Sequence, residues 1–252
     1  MDDNLKDLAV SRLIKAFNYE GALEILDLYD QFDQSLIHLI DSCRWSMNFD
    51  FAKAESVLKD LPEKYILANP SIQRYVQELP SLRGGGPDEV FNELMDNIMI
   101  QLKRGTYTEF AGRVFQLREL LYKYAVIQFK EGKIYPLRDR IYQKQFFEHR
   151  YKLHHGLMNG MKEILTRAGG KWEKIVHVLS GKAMGELMDL RHKTIVAHGI
   201  ETIRLQDIER IYESAENVLD DIEKVFNWLN IPRREHKYRG LNRVLCQLLA
   251  ST

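Results

Sequence analysis

The chain has 252 residues, enough for one large domain or two modest ones, each with its own core. With 45% hydrophobic and 29% charged residues, its composition is that of an ordinary soluble globular protein. The 36 basic residues balance 36 acidic ones, which excludes a global basic field for wrapping nucleic acid but not a local patch that holds a few phosphates.

The first residues, MDDNLKDLAV, are acidic and lack the basic-then-apolar order of a secretory signal. No run approaches the roughly 18 apolar residues of a membrane span. Cys43 and Cys246 are too few and too distant for a disulfide framework, so a reducing cytoplasm is the expected setting. Helical periodicity then dominates, through LAVSRLIKAF, GALEILDLYDQF, SLIHLIDSCRWSM and FAKAESVLKDL. Short β-branched pieces such as KIYPL do not alternate over a useful length, so no strand is expected. FNYEGALEIL (17–26) and MNFDFAKAESVL (47–58) echo one another at an offset of about thirty residues, near the period of helix–turn–helix repeats. This predicts two stacked helical hairpins, and leaves a repeat-type peptide-binding surface open.

LPSLRGGGPDEV (79–90) is the clearest break, expected to be a linker or mobile loop, with Asp88 capping the next helix. No strand precedes its glycines and no GK[ST] ending follows, so it lacks the setting of a phosphate-cradling loop. It divides the chain into a helical-hairpin segment, 1–80, packed on a main domain, 81–252. That domain opens with DEVFNELMDNIMIQLKRG, then TYTEFAGRVFQLRELLYKYAVIQFKEG, capped by Thr106 or Thr108. A third helical region is expected from Arg138 to Arg167, followed by EKIVHVLSG, KAMGELMDLRHKTIVAHG and LQDIERIYESAENVLDDIEKVFNWL. IPRREHKYRG reads as a basic surface stretch that offers Tyr238 for base stacking, before one short amphipathic helix. The fold class is all-α, a helical bundle.

Several groups carry chemistry. EHRYKLHHGLMNG contains His149, His154 and His155, but the adjacent pair would point about 100° apart on a helix, which suits solvated histidines better than a metal site. If that segment faces a cleft, Arg150, Lys152 and His155 could meet RNA phosphates. Lys162, Arg167, Lys171 and Lys174 read as a solvated face or an RNA contact, and Arg118 with Glu119 as bundle ion pairs. In LMDLRHKTIVAHGIETI, Arg191 and His198 are seven residues apart. On a helix they share a face to within about 20°, roughly 10 Å apart along the axis. A two-fold pair of such helices would bring both arginines and both histidines to one cleft. Guanidinium matches phosphate oxygens with a planar donor fork, and imidazole can move a proton near neutrality. Spacing alone fits equally a cationic helix end stopped by Gly199.

The string Arg191-His192-(x)5-His198-Gly199, behind ELMDL and before an amphipathic helix, resembles the signature of HEPN-superfamily ribonucleases, R-x(4–6)-H with a polar residue after the arginine. GTYTEFAGRVFQLRELLYKY (105–124) is similar to the helix that opens the HEPN part of the CARF–HEPN ancillary ribonucleases of type III CRISPR systems. The YEGALEIL and FDFAKA hairpins look like that group's helical insert.

The resemblance implies a HEPN-type bundle and a metal-independent endoribonuclease, without cofactor, that cuts single-stranded RNA in CRISPR-associated antiviral defence. Arg191 and His198 would be the catalytic pair and His192 their polar support, in a composite site at a homodimer interface. The products would carry a 2′,3′-cyclic phosphate and a 5′-hydroxyl. No strand-rich segment precedes the helices, so the activating CARF domain of that group is expected to be absent from this chain. A non-catalytic HEPN-fold protein, antitoxin-like or nucleotide-binding, is the alternative reading.

Overall fold

The computed structural model describes residues 3–28, 33–153, 156–194, 197 and 199–250. Among them the chain is all-α: fifteen α-helices and two 3-10 turns, with no strand beyond an isolated bridge between Thr194 and Glu201. The residues form two compact units, Met1–Gly84 with Arg234–Thr252, and Gly85–Arg233. The sequence reading placed residues 234–252 in the main domain; they belong instead with the N-terminal unit.

The first unit holds α1 (Asp3–Lys15), α2 (Tyr19–Leu26), α3 (Gln34–Met47), α4 (Phe51–Val57), α5 (Glu63–Ala68), α6 (Pro70–Gly84) and α15 (Lys237–Leu249). The expected echo is present, in a different register. Phe17 and Phe49 each end a helix with left-handed φ, at 57° and 63°. The next residue closes the same turn: Asn18 N–H donates to Leu13 O at 2.9 Å, and Asp50 N–H to Trp45 O at 3.0 Å. Asn18 and Asp50 then cap the following helices through Gly21 N and Lys53 N. Phe17 thus pairs with Phe49 and Ala22 with Ala54, an offset of 32, where the sequence alignment of Asn18 with Asn48 gives 30.

α15 closes this unit against α1, α3 and α6. Tyr238 is fully buried and donates to Ser46 Oγ at 3.0 Å, Lys237 is buried, and Arg234 pairs with Glu78 at 3.1 Å. The basic surface stretch expected at 231–240 is therefore corrected in part: Arg234, Lys237 and Tyr238 are internal ties, Arg239 is exposed, and Tyr238 offers no face to a base. The glycine-rich break shrinks as well. α6 runs through Arg83 and Gly84, with Pro80 inside it, and only Gly85 and Gly86 separate it from the next helix.

The second unit begins with α7 (Pro87–Arg104), whose N-cap is Gly86 with Pro87 in the first turn, rather than Asp88. Gly85 has φ 82°, its carbonyl accepts from Leu137 N–H at 2.6 Å, and a Cβ there would meet the Arg138 backbone nitrogen at 2.8 Å. That close approach requires glycine. α8 (Tyr107–Glu131) is the central helix, packed on α7, α10 (Leu157–Ala168) and α12 (Lys182–His192). It buries a wide apolar face from Phe110 to Ile127. The helical region expected over 138–167 is interrupted: a 3-10 turn at Arg140–Tyr142 precedes α9 (Lys144–Tyr151), which stops with Lys152 at φ 56°, before α10. α11 (Gly170–Leu179), α13 (Leu205–Tyr212) and α14 (Glu216–Leu229) complete the unit. Arg233 fastens its end, bonding Asn92 at 3.0 Å and Glu223 at 3.2 Å.

Candidate functional site

α12 ends at His192, with Lys193 as its C-cap. The shared-face geometry expected for Arg191 and His198 required a helix continuing to 198. The described residues beyond His192 are not helical, so that part of the sequence reading is overturned. His198 itself lies outside the described residues. The chain reverses here instead. Thr194 is fully buried and donates its hydroxyl to Arg191 O at 2.7 Å, while its carbonyl accepts from Ala197 N–H and Gly199 N–H, each at 3.0 Å. Glu201 N–H donates to Lys193 O at 3.0 Å. Gly199 is thus not a left-handed helix stop. Its φ is outside that region, and an added Cβ would overlap the Lys193 carbonyl. A glycine is needed because two backbones touch.

Both arms of this reversal are tied to α8. On the incoming arm, the Arg191 guanidinium lies over the Phe115 ring at 4.2 Å, and the His192 ring meets the same phenyl edge-on at 6.1 Å. On the outgoing arm, Ile203 N–H donates to Thr108 Oγ1 at 3.1 Å. Thr108 and Phe115 are seven residues apart, so they share a face of α8 about 10 Å apart along its axis. Of the two caps expected, Thr106 or Thr108, Thr108 holds the loop instead. Thr106 occupies the cap position, and its hydroxyl bonds the Gln101 side chain at 2.7 Å. Phe115 is the residue that sequence reasoning missed, since its position on an amphipathic helix reads as ordinary core.

His192 is exposed and lines a cavity of about 530 Å³ between α8, α10 and α12, with Phe115, Arg118, Lys144, Lys162 and Met188 among its other walls. Arg118 is only 8% exposed. It donates from Nε to Leu179 O at 2.5 Å and sits over the Tyr122 ring at 5.7 Å. Burial lowers its pKa, partly offset by Tyr122 and Tyr212. Of the bundle ion pairs expected for Arg118 and Glu119, Glu119 forms one with Lys123 at 2.7 Å, while Arg118 is tied to a backbone carbonyl instead. Lys162 is half-buried, and its pKa is lowered first by burial and then by the nearby Arg118 cation. The solvated face expected for it does hold for Lys171 and Lys174, which are exposed, and for Arg167, which pairs with Glu163 at 2.5 Å.

The histidine cluster is not assembled by the described residues. His149 is exposed on α9, while His154 and His155 lie outside the description. Among the described residues no three His, Cys, Asp or Glu side chains are grouped to hold a metal. Chemically, the site offers a permanent cation on an aromatic ring, an exposed imidazole beside it, and a half-apolar cavity with three further cations. Such a set suits a phosphate-bearing, base-bearing ligand. Compared with known proteins, the chain matches no family model and no curated sequence.

Proposed function

We propose that the chain is a metal-independent endoribonuclease of HEPN type that cleaves single-stranded RNA as a homodimer, acting in the cytoplasm in CRISPR-associated defence. The observation that carries this reading is the packing of Arg191 and His192 around Phe115 at a cation-lined cavity. The motif supplies the rest. In the reaction the ribose 2′-hydroxyl attacks the adjacent phosphorus, the 2′-O–P bond forms and the P–O5′ bond breaks. One imidazole takes the 2′-hydroxyl proton and another protonates the leaving 5′-oxygen. His198 is assigned that proton-transfer role, and Arg191 stabilises the charge on the phosphorane oxygens.

His192, exposed at the cavity, orients the strand or assists proton transfer. Phe115 holds the guanidinium against one apolar plane, which limits its rotamers before substrate arrives. Beside the motif, Ile200 is 93% exposed. In the proposed homodimer this side chain, two residues after His198 in the sequence, is available to the second copy. The test is incubation of the purified chain with end-labelled RNA in excess EDTA, comparing wild type with Arg191→Ala and His198→Ala. Cleavage that survives EDTA and is lost in both variants supports the proposal. Cleavage abolished by EDTA, or unchanged in both variants, removes it.

A further inference from the structure

Arg118 and Lys162 both line the cavity, whose wall also carries the carboxylates of Glu119 and Asp189. Arg118 comes from the buried side of α8, and Lys162 from the second turn of α10, the two helices packing directly on each other. Among the described residues neither forms an ion pair. Of the acidic groups lining the same space, Glu119 is bound to Lys123 at 2.7 Å and Asp189 is exposed. Lys144, at the start of α9, is tied to Glu148 at 3.4 Å. Each cation's charged form is disfavoured by burial, and Arg118 disfavours that of Lys162 further. The tie to Leu179 O accounts for Arg118 in the bundle, but setting Lys162 beside it adds repulsion rather than stability. An anion between them reverses the sign of the interaction.

Most of the remaining wall is apolar, with Phe115, Leu157, Met158 and Met188 beside Gly185 and His192. Methionines adapt to flat, polarisable groups such as bases. The volume, about 530 Å³, falls within the roughly 300–1,000 Å³ typical of small-ligand pockets. His192 lies on both the cavity wall and the Phe115 edge, so the cavity opens beside the arginine assigned to the reacting phosphate.

We propose that the cavity is a subsite for one nucleotide of the RNA strand flanking the scissile link, with its phosphate between Arg118 and Lys162 and its base against Met158 and Met188. The subsite rests on the ribonuclease reading for its place in the strand. Its binding does not depend on cleavage. Recognition is by charge and stacking, so it accepts every base.

The test uses the full chain and a short fluorescein-labelled oligoribonucleotide of mixed sequence, 2′-O-methylated throughout, so that no 2′-hydroxyl attack can occur. Binding is read by anisotropy over a salt series for wild type, Lys162→Gln, Lys162→Glu, Arg118→Lys and Lys133→Gln. Lys133 is exposed and does not line the cavity. Lys162→Gln is expected to weaken binding about tenfold and to reduce the log–log salt slope by roughly 0.7, with Lys162→Glu weaker again and Lys133→Gln unchanged. Arg118→Lys is checked by circular dichroism, and Lys162 carries the test if that variant does not fold.

Binding of the oligonucleotide that is indifferent to both Lys162 substitutions overturns the subsite. So does tight, Lys162-dependent binding of adenosine monophosphate without binding of the oligonucleotide, which marks a free-nucleotide pocket. Lys162-dependent strand binding by a chain that never cuts unmethylated RNA leaves the subsite standing and removes the ribonuclease reading alone.

Discussion

Replacing Gly199 by alanine and by asparagine separates the observed reversal from a helix that continues past His192. In the structure an added Cβ overlaps the Lys193 carbonyl, so the two arms of the turn must part. That motion breaks Gly199 N–H to Thr194 O and Glu201 N–H to Lys193 O, both 3.0 Å. At about 1 kcal/mol net for each, the loss is roughly 2 kcal/mol. Amide exchange at Glu201 is then expected to speed up about thirtyfold. The thermal melting midpoint, followed by circular dichroism, is expected to fall by about 4–8 °C if the loop melts with its unit. Both substitutions carry a Cβ, so both have the same effect. A left-handed helix stop would behave differently, because asparagine tolerates that conformation far better than alanine. Asparagine near wild type, with alanine destabilised by about 1 kcal/mol, would refute the reversal.

Phe115→Ala is expected to remove about 0.5–1 kcal/mol of cation–π attraction and to lower kcat more than it raises KM, with Phe115→Tyr close to wild type; steady-state RNA cleavage checks it. Asn18→Ala and Asp50→Ala, at equivalent caps in the two hairpins, should each cost about 1 kcal/mol in urea denaturation, and a large inequality would deny their equivalence. Gly85→Ala should destabilise the chain by more than about 1 kcal/mol, since it adds a Cβ at positive φ against the Arg138 backbone; denaturant midpoints decide it. Lys162 is faced by Arg118, Lys144, Glu119, Asp189 and His192 across the cavity, and its pKa is lowered on folding. The unfolded state therefore binds more protons between the folded and unfolded pKa values, so stability rises with pH across that window. Lys162→Gln should stabilise the chain at neutral pH, with an advantage that shrinks as pH climbs through that window; urea midpoints across a pH series measure it.

The helices were legible because apolar spacing and terminal residues agree locally. Gly105 and Gly132 end α7 and α8 with left-handed φ, as their positions after long amphipathic runs suggest. The hairpin echo was visible too, but its register is set by where the aromatic residue turns left-handed, which composition does not reveal. What failed were features decided by distant partners. Gly85 touches Arg138, Gly199 touches Lys193, and Tyr238 reaches Ser46, so a loop, a helix stop and a surface aromatic were each misread. At the site, Arg191 and His192 were found from a motif. Phe115 was not, and Lys162 stood undivided among four cations read as a solvated face or an RNA contact, because nothing in a helical repeat distinguishes a side chain facing a cavity from one facing core or solvent.

Cleavage of RNA through the ribose 2′-hydroxyl, with the help of Arg191, is the chemistry on which the proposed function stands. It is decided by an oligoribonucleotide and its counterpart with a single 2′-deoxy sugar at the cut position, each incubated in EDTA with wild type and Arg191→Ala. The expected result is cleavage of the all-ribose strand by wild type alone, with 2′,3′-cyclic phosphate and 5′-hydroxyl ends. Cleavage at the deoxy position, 5′-phosphate ends, or full activity in Arg191→Ala would contradict it.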